Sequence, residues 1–525
     1  ITNRLMYKLV QQALSFCAAE IPELLPQTVR EQYHLCSAAT AYRQIHHPDS
    51  LDALSSARHR LIFEEFFVFS AGLSLLRARR TQVPTRPFSC TDAAPFCQSL
   101  PFQLTGAQQR VISEITADLA RSTPMNRLVQ GDVGSGKTMI AAAAAYCAAK
   151  SGRQAALMVP TEILDEQHAA ALAPLMAPFG IRTVLLTGSL GARQRREATD
   201  AIVLGQAQIV IGTHALLSES VQFQDLGLVI ADEQHRFGVA QRAALTAKRE
   251  SPHLLVMSAT PIPRTLSLIL YGDLDLSIVD ERPPGRQNVD TFLVGEGMRQ
   301  RIHSFIRKQV QAGHQVFIVC PAIEEEETST VKSVEAWAQA LQQAVFPDLR
   351  ILLLHGKMKG REKEQVMAAF SAGQADILVS TTVIEVGVDV PNATLMVIEN
   401  AERFGLSQLH QLRGRVGRGQ AKSYCVLFCT SRSEQTIARL KALCKTNDGF
   451  AIAEEDLALR GPGDFLGQRQ HGLPAFKVAN LSADLQTLTL AQQACAQYLD
   501  TAALTGDEPL FARLRALFES QDIVF

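Results

Sequence analysis

No stretch of this sequence is long and apolar enough to cross a bilayer. The longest apolar run, Met139 to Ala149, has 11 residues, mostly alanine, against the roughly 20 a membrane helix needs. The first residues, Ile-Thr-Asn-Arg, carry neither a hydrophobic signal core nor an initiator methionine, so the chain reads as part of a longer one. The ten cysteines form no CxxC pair; the closest two, Cys425 and Cys429, sit in an apolar run and read as buried thiols rather than half a zinc site. Together these absences exclude a disulfide scaffold and place the chain in a reducing, cytosolic compartment. One-signed charge is missing too. Lys plus Arg number 51 against 52 Asp plus Glu, so any nucleic-acid contact must come from local patches or backbone groups. Short repeats and low-complexity tracts are absent.

What remains is an ordinary globular composition, 47% hydrophobic and 20% charged, which rules out wholesale disorder. At roughly 150 residues per domain, 525 residues imply three or four units. Leu5, Met6, Leu9, Val10, Ala13, Leu14 and Cys17 recur at helical spacing, and a second helical pattern runs from Leu51 to Leu76 before the basic cluster Arg77, Arg79, Arg80, a solvated helix end. After Phe102 short apolar runs alternate with helical stretches: Arg127–Gln130, Ala155–Val159, Thr183–Leu186, Gln208–Ile211, Leu226–Ala231 and Leu254–Met257. A linker rich in proline and charge, Asp280 to Arg286, interrupts, and the texture resumes at Gln315–Cys320, Arg350–Leu354, Asp376–Ser380, Leu395–Glu399 and Tyr424–Cys429. Such alternation predicts an α/β fold with two tandem parallel sheets and flanking helices. The expected segmentation is a helical linker region over 1–95, α/β domains over 96–285 and 286–445, and a helical C-terminal segment over 446–525.

Three segments carry chemistry. Gly131-Asp132-Val133-Gly134-Ser135-Gly136-Lys137-Thr138 fits G-x4-G-K-[ST] between an apolar run and a helical stretch. A glycine-rich turn explains the glycines alone; the strand–loop–helix context argues for a loop whose N–H groups close around phosphates. Lys137 is then the β/γ-phosphate cation and Thr138 the Mg2+ hydroxyl. Asp232 and Glu233 follow the apolar run Leu228 to Ala231, at the strand end where α/β sheets bind ligands. Asp232 suits the Mg2+ shell and Glu233 the attacking water; on its own the pair is equally a helix start. Gln411-Leu-Arg-Gly-Arg-Val-Gly-Arg418 interleaves arginines with glycines. A basic surface loop is the alternative, but Arg415 and Arg418 also match arginine fingers that neutralise a transferring phosphate when two domains face each other.

In serial order these segments, with Pro160 to Leu164, Gly212-Thr-His214, Ser258-Ala-Thr-Pro261 and Thr381 to Asp389, resemble the motifs of superfamily 2 helicases. Asp232 to Val239, Ser258 to Leu266, Pro283 to Arg286, His410 to Gly419 and Leu459-Arg-Gly-Pro-Gly463 are similar to the RecG family of branched-DNA helicases. The resemblance implies two RecA-like domains hydrolysing ATP with Mg2+ to drive translocation on duplex or branched DNA, including Holliday junctions and forks. It implies adenine reading by Gln108, coupling through Ser258, Thr260, His235 and Gln411, and backbone contacts to nucleic acid from Thr161, Thr213 and Thr381. Arg439, Arg460 and Gln470 fall where the family has its translocation motif. Single-strand DNA-binding protein is an implied partner that no particular residues mark, and a monomer is expected. The family's OB-fold wedge has no counterpart ahead of Ile1. Two rivals stay open: the motor of a transcription–repair coupling translocase, and a non-hydrolysing nucleic-acid scaffold.

Overall fold

A computed structural model of the chain describes residues 2–17, 20–81, 84–218, 220–232, 251–259, 274–283, 287–321, 327–381, 390–417, 419, 421–460, 476–480, 483–501 and 509–519. They fall into two compact units. One comprises Val83–Pro263 and Asp275–Asp456; the other comprises Ile1–Gln82, Arg264–Leu274 and Leu457–Phe525.

The first unit holds two sheets. Strands β1 (Asn126–Gly131), β2 (Gln154–Met158), β3 (Thr183–Leu186), β4 (Ile209–Gly212), β5 (Leu226–Ala231), β6 (His253–Ser258) and β7 (Asp275–Val279) pair in the order β3-β4-β2-β5-β6-β1-β7. Strands β8 (Val289–Val294), β9 (Gln315–Val319), β10 (Ile351–Leu354), β11 (Ile377–Ser380), β12 (Ala393–Ile398) and β13 (Ser423–Phe428) pair as β10-β11-β9-β12-β13-β8. Every pairing is parallel. A parallel sheet needs helices over both faces, so its central strands read as unbroken apolar runs. Strands β5 and β6 obey this, buried at every residue. Alanine suits the helix Lys137–Lys150: it favours the helix and its small side chain permits close packing, and residues 140–148 are all buried.

Eleven of these strands coincide within a residue or two with the runs read from sequence. Strands β7 and β8 do not: they flank the Asp280–Arg286 linker, and their half-exposed burial breaks the apolar run that marks a central strand. Cys425 is buried and its thiol is pushed up to about 12 by burial. All ten cysteines are free thiols, and no residue group that could hold a metal occurs among the described residues.

The second unit is helical, built on the 31-residue helix Leu51–Thr81. Arg60 is fully buried within it; its Nε donates to the Cys36 carbonyl at 3.0 Å and its guanidinium pairs with Glu64 at 2.7 Å and with Glu23. A buried arginine persists only when its charge is answered in this way. Glu65, on the same helix, accepts from the backbone N–H groups of Lys477, Val478 and Ala479 at 2.8, 3.1 and 2.8 Å. The Phe476 ring meets Phe66 and Phe69 edge-on. Chain segments some 400 residues apart therefore share one core. In the helix Asn3–Cys17 the Tyr7 ring packs edge-on against His47, while Leu5, Met6 and Leu9 stay about half exposed. The apolar stripe seen in the sequence is real but only partly covered.

In the first unit, His253 is fully buried and its Nδ1 accepts from the Met125 N–H at 3.0 Å. Burial and then Arg153 hold its pKa down, from 6.5 to about 4. The folded chain therefore keeps the ring neutral while the unfolded chain protonates it below 6.5, so stability is full above that pH and is lost as pH falls towards 4. The shift corresponds to about 3 kcal/mol. Urea midpoints for wild type and His253→Asn, whose amide oxygen keeps the acceptor, should diverge between pH 7 and 4, with the wild type the steeper; parallel curves would refute the assignment.

Candidate functional site

The C-terminal ends of the adjacent strands β5, β6 and β1 bring the chemistry together. Residues Gly131 to Gly136 leave β1 and turn into the helix Lys137–Lys150. Gly134 and Gly136 adopt φ of +72° and +82°, the left-handed region open to glycine. A Cβ at Gly136 would lie 2.1 Å from Gln108 Nε2, so any side chain there would have to displace that amide. Gln108 is buried; its Oε1 accepts from the Thr105 N–H at 2.9 Å and its Nε2 donates to the Ser135 carbonyl at 2.9 Å. One amide thus completes the N-terminal cap of the helix Gly106–Leu119 and holds the loop. Val133 and Ser135 are buried, Gly134 is exposed and Thr138 is partly exposed in the first turn of its helix.

The Lys137 ammonium donates to the Gly131 and Asp132 carbonyls at 2.8 and 2.9 Å. A cation inside a ring of loop residues at a helix N-terminus is the arrangement that receives phosphate.

Asp232 stands just past β5; its backbone N–H donates to the Met158 carbonyl at 2.9 Å, and its carboxylate lies 3.3 Å from His168 Nε2. His168 comes from the helix Glu162–Met176, where Asp165 is also fully buried with no partner on either carboxylate oxygen. Burial, and then Glu162 and Glu166, push Asp165 up to about 8, so it is a neutral acid at pH 7. Ser258 ends β6, buried and paired in register with Gln130 of β1.

From the second sheet comes the helix Leu406–Arg413, and Gly414, just past its end, meets the phosphate loop. A Cβ at Gly414 would sit 2.9 Å from Val133 Cβ. His410 Nε2 bonds Asp132 Oδ1, and the Arg282 guanidinium pairs with Asp132 Oδ2 at 3.0 Å. Arg415, the residue after Gly414, is buried, and Gln411 is half buried on the helix. Neither sheet holds the site alone.

The remaining sequence candidates are dispersed. Thr161 precedes the helix Glu162–Met176, and its hydroxyl is buried without a partner. Thr213 precedes a short 3-10 turn, and Thr381 is buried after β11. Arg439 donates to the Glu402 carbonyl at 2.7 Å. Arg460 ends the helix Gly449–Arg460, and its side chain is outside the described residues. Glu233, His235, Thr260, Arg418 and Gln470 also lie outside them. Sequence reasoning passed over His168, Arg282, His410 and Arg413 as contact residues. The i, i+3 spacing of His410 and Arg413, which puts both on one helix face, was the available signal.

Known families match this arrangement segment by segment. The DEAD/DEAH box helicase model covers residues 105–269, the helicase conserved C-terminal domain covers 298–420, and domain 3 of ATP-dependent DNA helicase RecG covers 446–518. The ATP-dependent DNA helicase RecG of Bacillus subtilis strain 168 is 46% identical over 518 residues, 98% of this chain and 76% of that protein. This chain belongs to the RecG family. The Synechocystis RecG is 50% identical over 497 residues, 94% of this chain and 60% of its own length. A structure of RecG bound to a three-way DNA junction superposes with a TM-score of 0.75 at 43% identity, covering 93% of this chain and 64% of that one. The chain thus spans between three fifths and three quarters of the length of these relatives. Membership brings two RecA-like sheets, as the sequence motifs implied. No helix among the described residues is long and apolar enough to cross a membrane.

Gly136→Ala should weaken nucleotide binding by at least about tenfold, because it adds a clash with Gln108 to the roughly 1 kcal/mol of left-handed backbone strain. Gly152→Ala is the control: it has φ +74° but nothing within 4 Å of the added carbon, so it should bind normally. The check is titration with a fluorescent ATP analogue, and equal binding by both variants would refute the clash.

Proposed function

We propose that the chain is the motor of a branched-DNA translocase, converting ATP hydrolysis between its two sheets into movement along duplex DNA, and so into branch migration of Holliday junctions and regression of stalled forks. The observation that carries this is the meeting of the phosphate loop with His410 and Gly414 of the second lobe, the segment that leads into Arg415, within one folded unit. It disfavours the non-hydrolysing scaffold, for which the loop that carries Lys137 has no reason to meet the segment leading into Arg415. The RecG domain 3 match over 446–518 disfavours the transcription–repair motor.

In this reading the loop N–H groups hold the phosphates and Lys137 exchanges its two carbonyl partners for β- and γ-phosphate oxygens. Thr138 and Asp232 would hold Mg2+, with His168 orienting the Asp232 carboxylate. The ion supplies charge neutralisation at the phosphate oxygens. Glu233 orients the attacking water, and Arg415 with Arg418 stabilises charge developing on the transferred phosphate, an effect worth most in a water-poor site. Gln108, beside the loop, is the adenine reader. Ser258, Thr260, His235 and Gln411 relay hydrolysis to the nucleic acid, which Thr161, Thr213 and Thr381 hold through its phosphates. Arg439, Arg460 and Gln470 belong to the element that pushes on duplex. The motor works as a monomer in the bacterial cytoplasm, with DNA as its partner and single-strand DNA-binding protein as a further one.

DNA-stimulated ATPase measurements test this. Lys137→Ala should lower turnover by at least about 100-fold with the fold intact, and turnover within a few-fold of wild type would sink the proposal. Gln470→Ala should separate the steps, keeping DNA-stimulated hydrolysis while strand displacement on a forked substrate is lost. Equal losses in both assays would instead put Gln470 in the hydrolytic machinery.

A further inference from the structure

The phosphate loop commits its one acidic side chain to the opposite lobe. Asp132 Oδ1 is bonded by His410 Nε2 and accepts from the Val133 N–H at 2.7 Å; Oδ2 takes the Arg282 guanidinium at 3.0 Å. Arg282, from the segment between β7 and β8, also donates to the Asn447 carbonyl and to Asn288 Oδ1 at 3.1 Å. The second imidazole nitrogen of His410 lies 2.9 Å from the Arg413 guanidinium. Arginine can only donate, so Nδ1 must accept and the ring proton sits on Nε2, aimed at Asp132. The ring is therefore neutral, with its orientation set from both sides. Arg413 is in turn pinned by the Leu443 and Thr446 carbonyls at 2.7 and 2.9 Å.

Two features tie this chain of contacts to chemistry. Arg415 follows two residues after Arg413, across Gly414, whose backbone runs against Val133. Asp132 itself does double duty, since its main-chain carbonyl accepts from Lys137 at 2.9 Å while its carboxylate faces the other lobe.

We propose that Asp132, His410 and Arg413, with Arg282 as counter-ion, form a latch that fixes, at the phosphate loop, the helix end carrying Arg415. The inference rests on the nucleotide-site reading above. His410 is a positioning residue: it touches no phosphate, and acts by fixing the helix end that carries Arg415. Its loss should therefore appear in turnover and spare nucleotide affinity, because an interaction serving only the transition state leaves ground-state binding alone.

The test compares His410→Ala, His410→Gln and Lys137→Ala in steady-state ATPase at saturating DNA, with unfolding midpoints measured alongside. His410→Ala should lower kcat by at least about tenfold with KM for ATP within about threefold of wild type. Glutamine is neutral, and its amide can accept from Arg413 while donating to Asp132, so His410→Gln should return to within about threefold of wild type. Should His410→Ala not fold, Gly414→Ala asks the same question by pushing the two backbones apart with one methyl group, and should show the same loss of kcat. An unchanged kcat in folded His410→Ala, a loss carried by KM, or a His410→Gln as impaired as the alanine variant would each overturn the latch while Lys137→Ala remained inactive. Normal turnover by Lys137→Ala would overturn the nucleotide site beneath it, and the latch with it.

Discussion

One carboxylate, on Asp132, joins the phosphate loop to the opposite lobe, and much of the site depends on its being satisfied from several directions. A partly buried anion survives when donors surround it; here they are a loop N–H, an imidazole and a guanidinium. Each donor arrives on a different piece of chain: the loop, the β7–β8 connection and the helix Leu406–Arg413. Shared satisfaction of one charge thus fixes three segments at once. Burial lowers the pKa of Arg413 from the ordinary arginine value, an effect opposed by Asp132 among other groups. Keeping that cation among carbonyls and an imidazole makes sense only if its position matters.

The strands were legible because a parallel sheet covered on both faces needs apolar runs with little polar interruption, and β5 and β6 supply them. The phosphate loop was legible for a different reason. Its glycines answer local constraints, the positive φ of Gly136 and the Gln108 amide beside it, which operate within one strand–loop–helix turn. Strands β7 and β8 escaped because half-exposed strands lack the run that betrays central ones. His410 escaped because its partner Asp132 lies 278 residues away, and nothing local to either residue announces the pairing. The joining of Glu65 to residues 477–479 was hidden in the same way. Sequence pattern reports periodicity and turns; side-chain contacts across the fold are set by tertiary geometry.

Neutral overall charge fits a nucleic-acid motor once the proposed contacts are sorted by type. Thr161, Thr213 and Thr381 stand just after β2, β4 and β11. Hydroxyl and main-chain contacts hold a backbone without reading sequence and need no strongly basic surface. The unpartnered, buried Thr161 hydroxyl is an unmet hydrogen-bonding demand of about 1–3 kcal/mol, and a phosphate oxygen would meet it. Asp165, one turn on, is kept neutral by burial, so it adds no negative charge where a phosphate would approach.

Chain connectivity explains how hydrolysis could become movement without a long-range pathway of side chains. The chain passes between the two-sheet unit and the helical unit four times: after residues 82, 263, 274 and 456. The second passage comes a few residues beyond Ser258, at the end of the strand beside β1; the last follows the final strand of the second sheet. Both lobes are therefore joined covalently to the unit that contains Arg460 and Gln470. Within the helical unit, Arg60 and Glu65 tie together segments far apart in the chain. Rigid elements tethered to a closing cleft transmit displacement when their own cores are stiffer than their tethers. The buried Arg60 network gives the helical unit that stiffness.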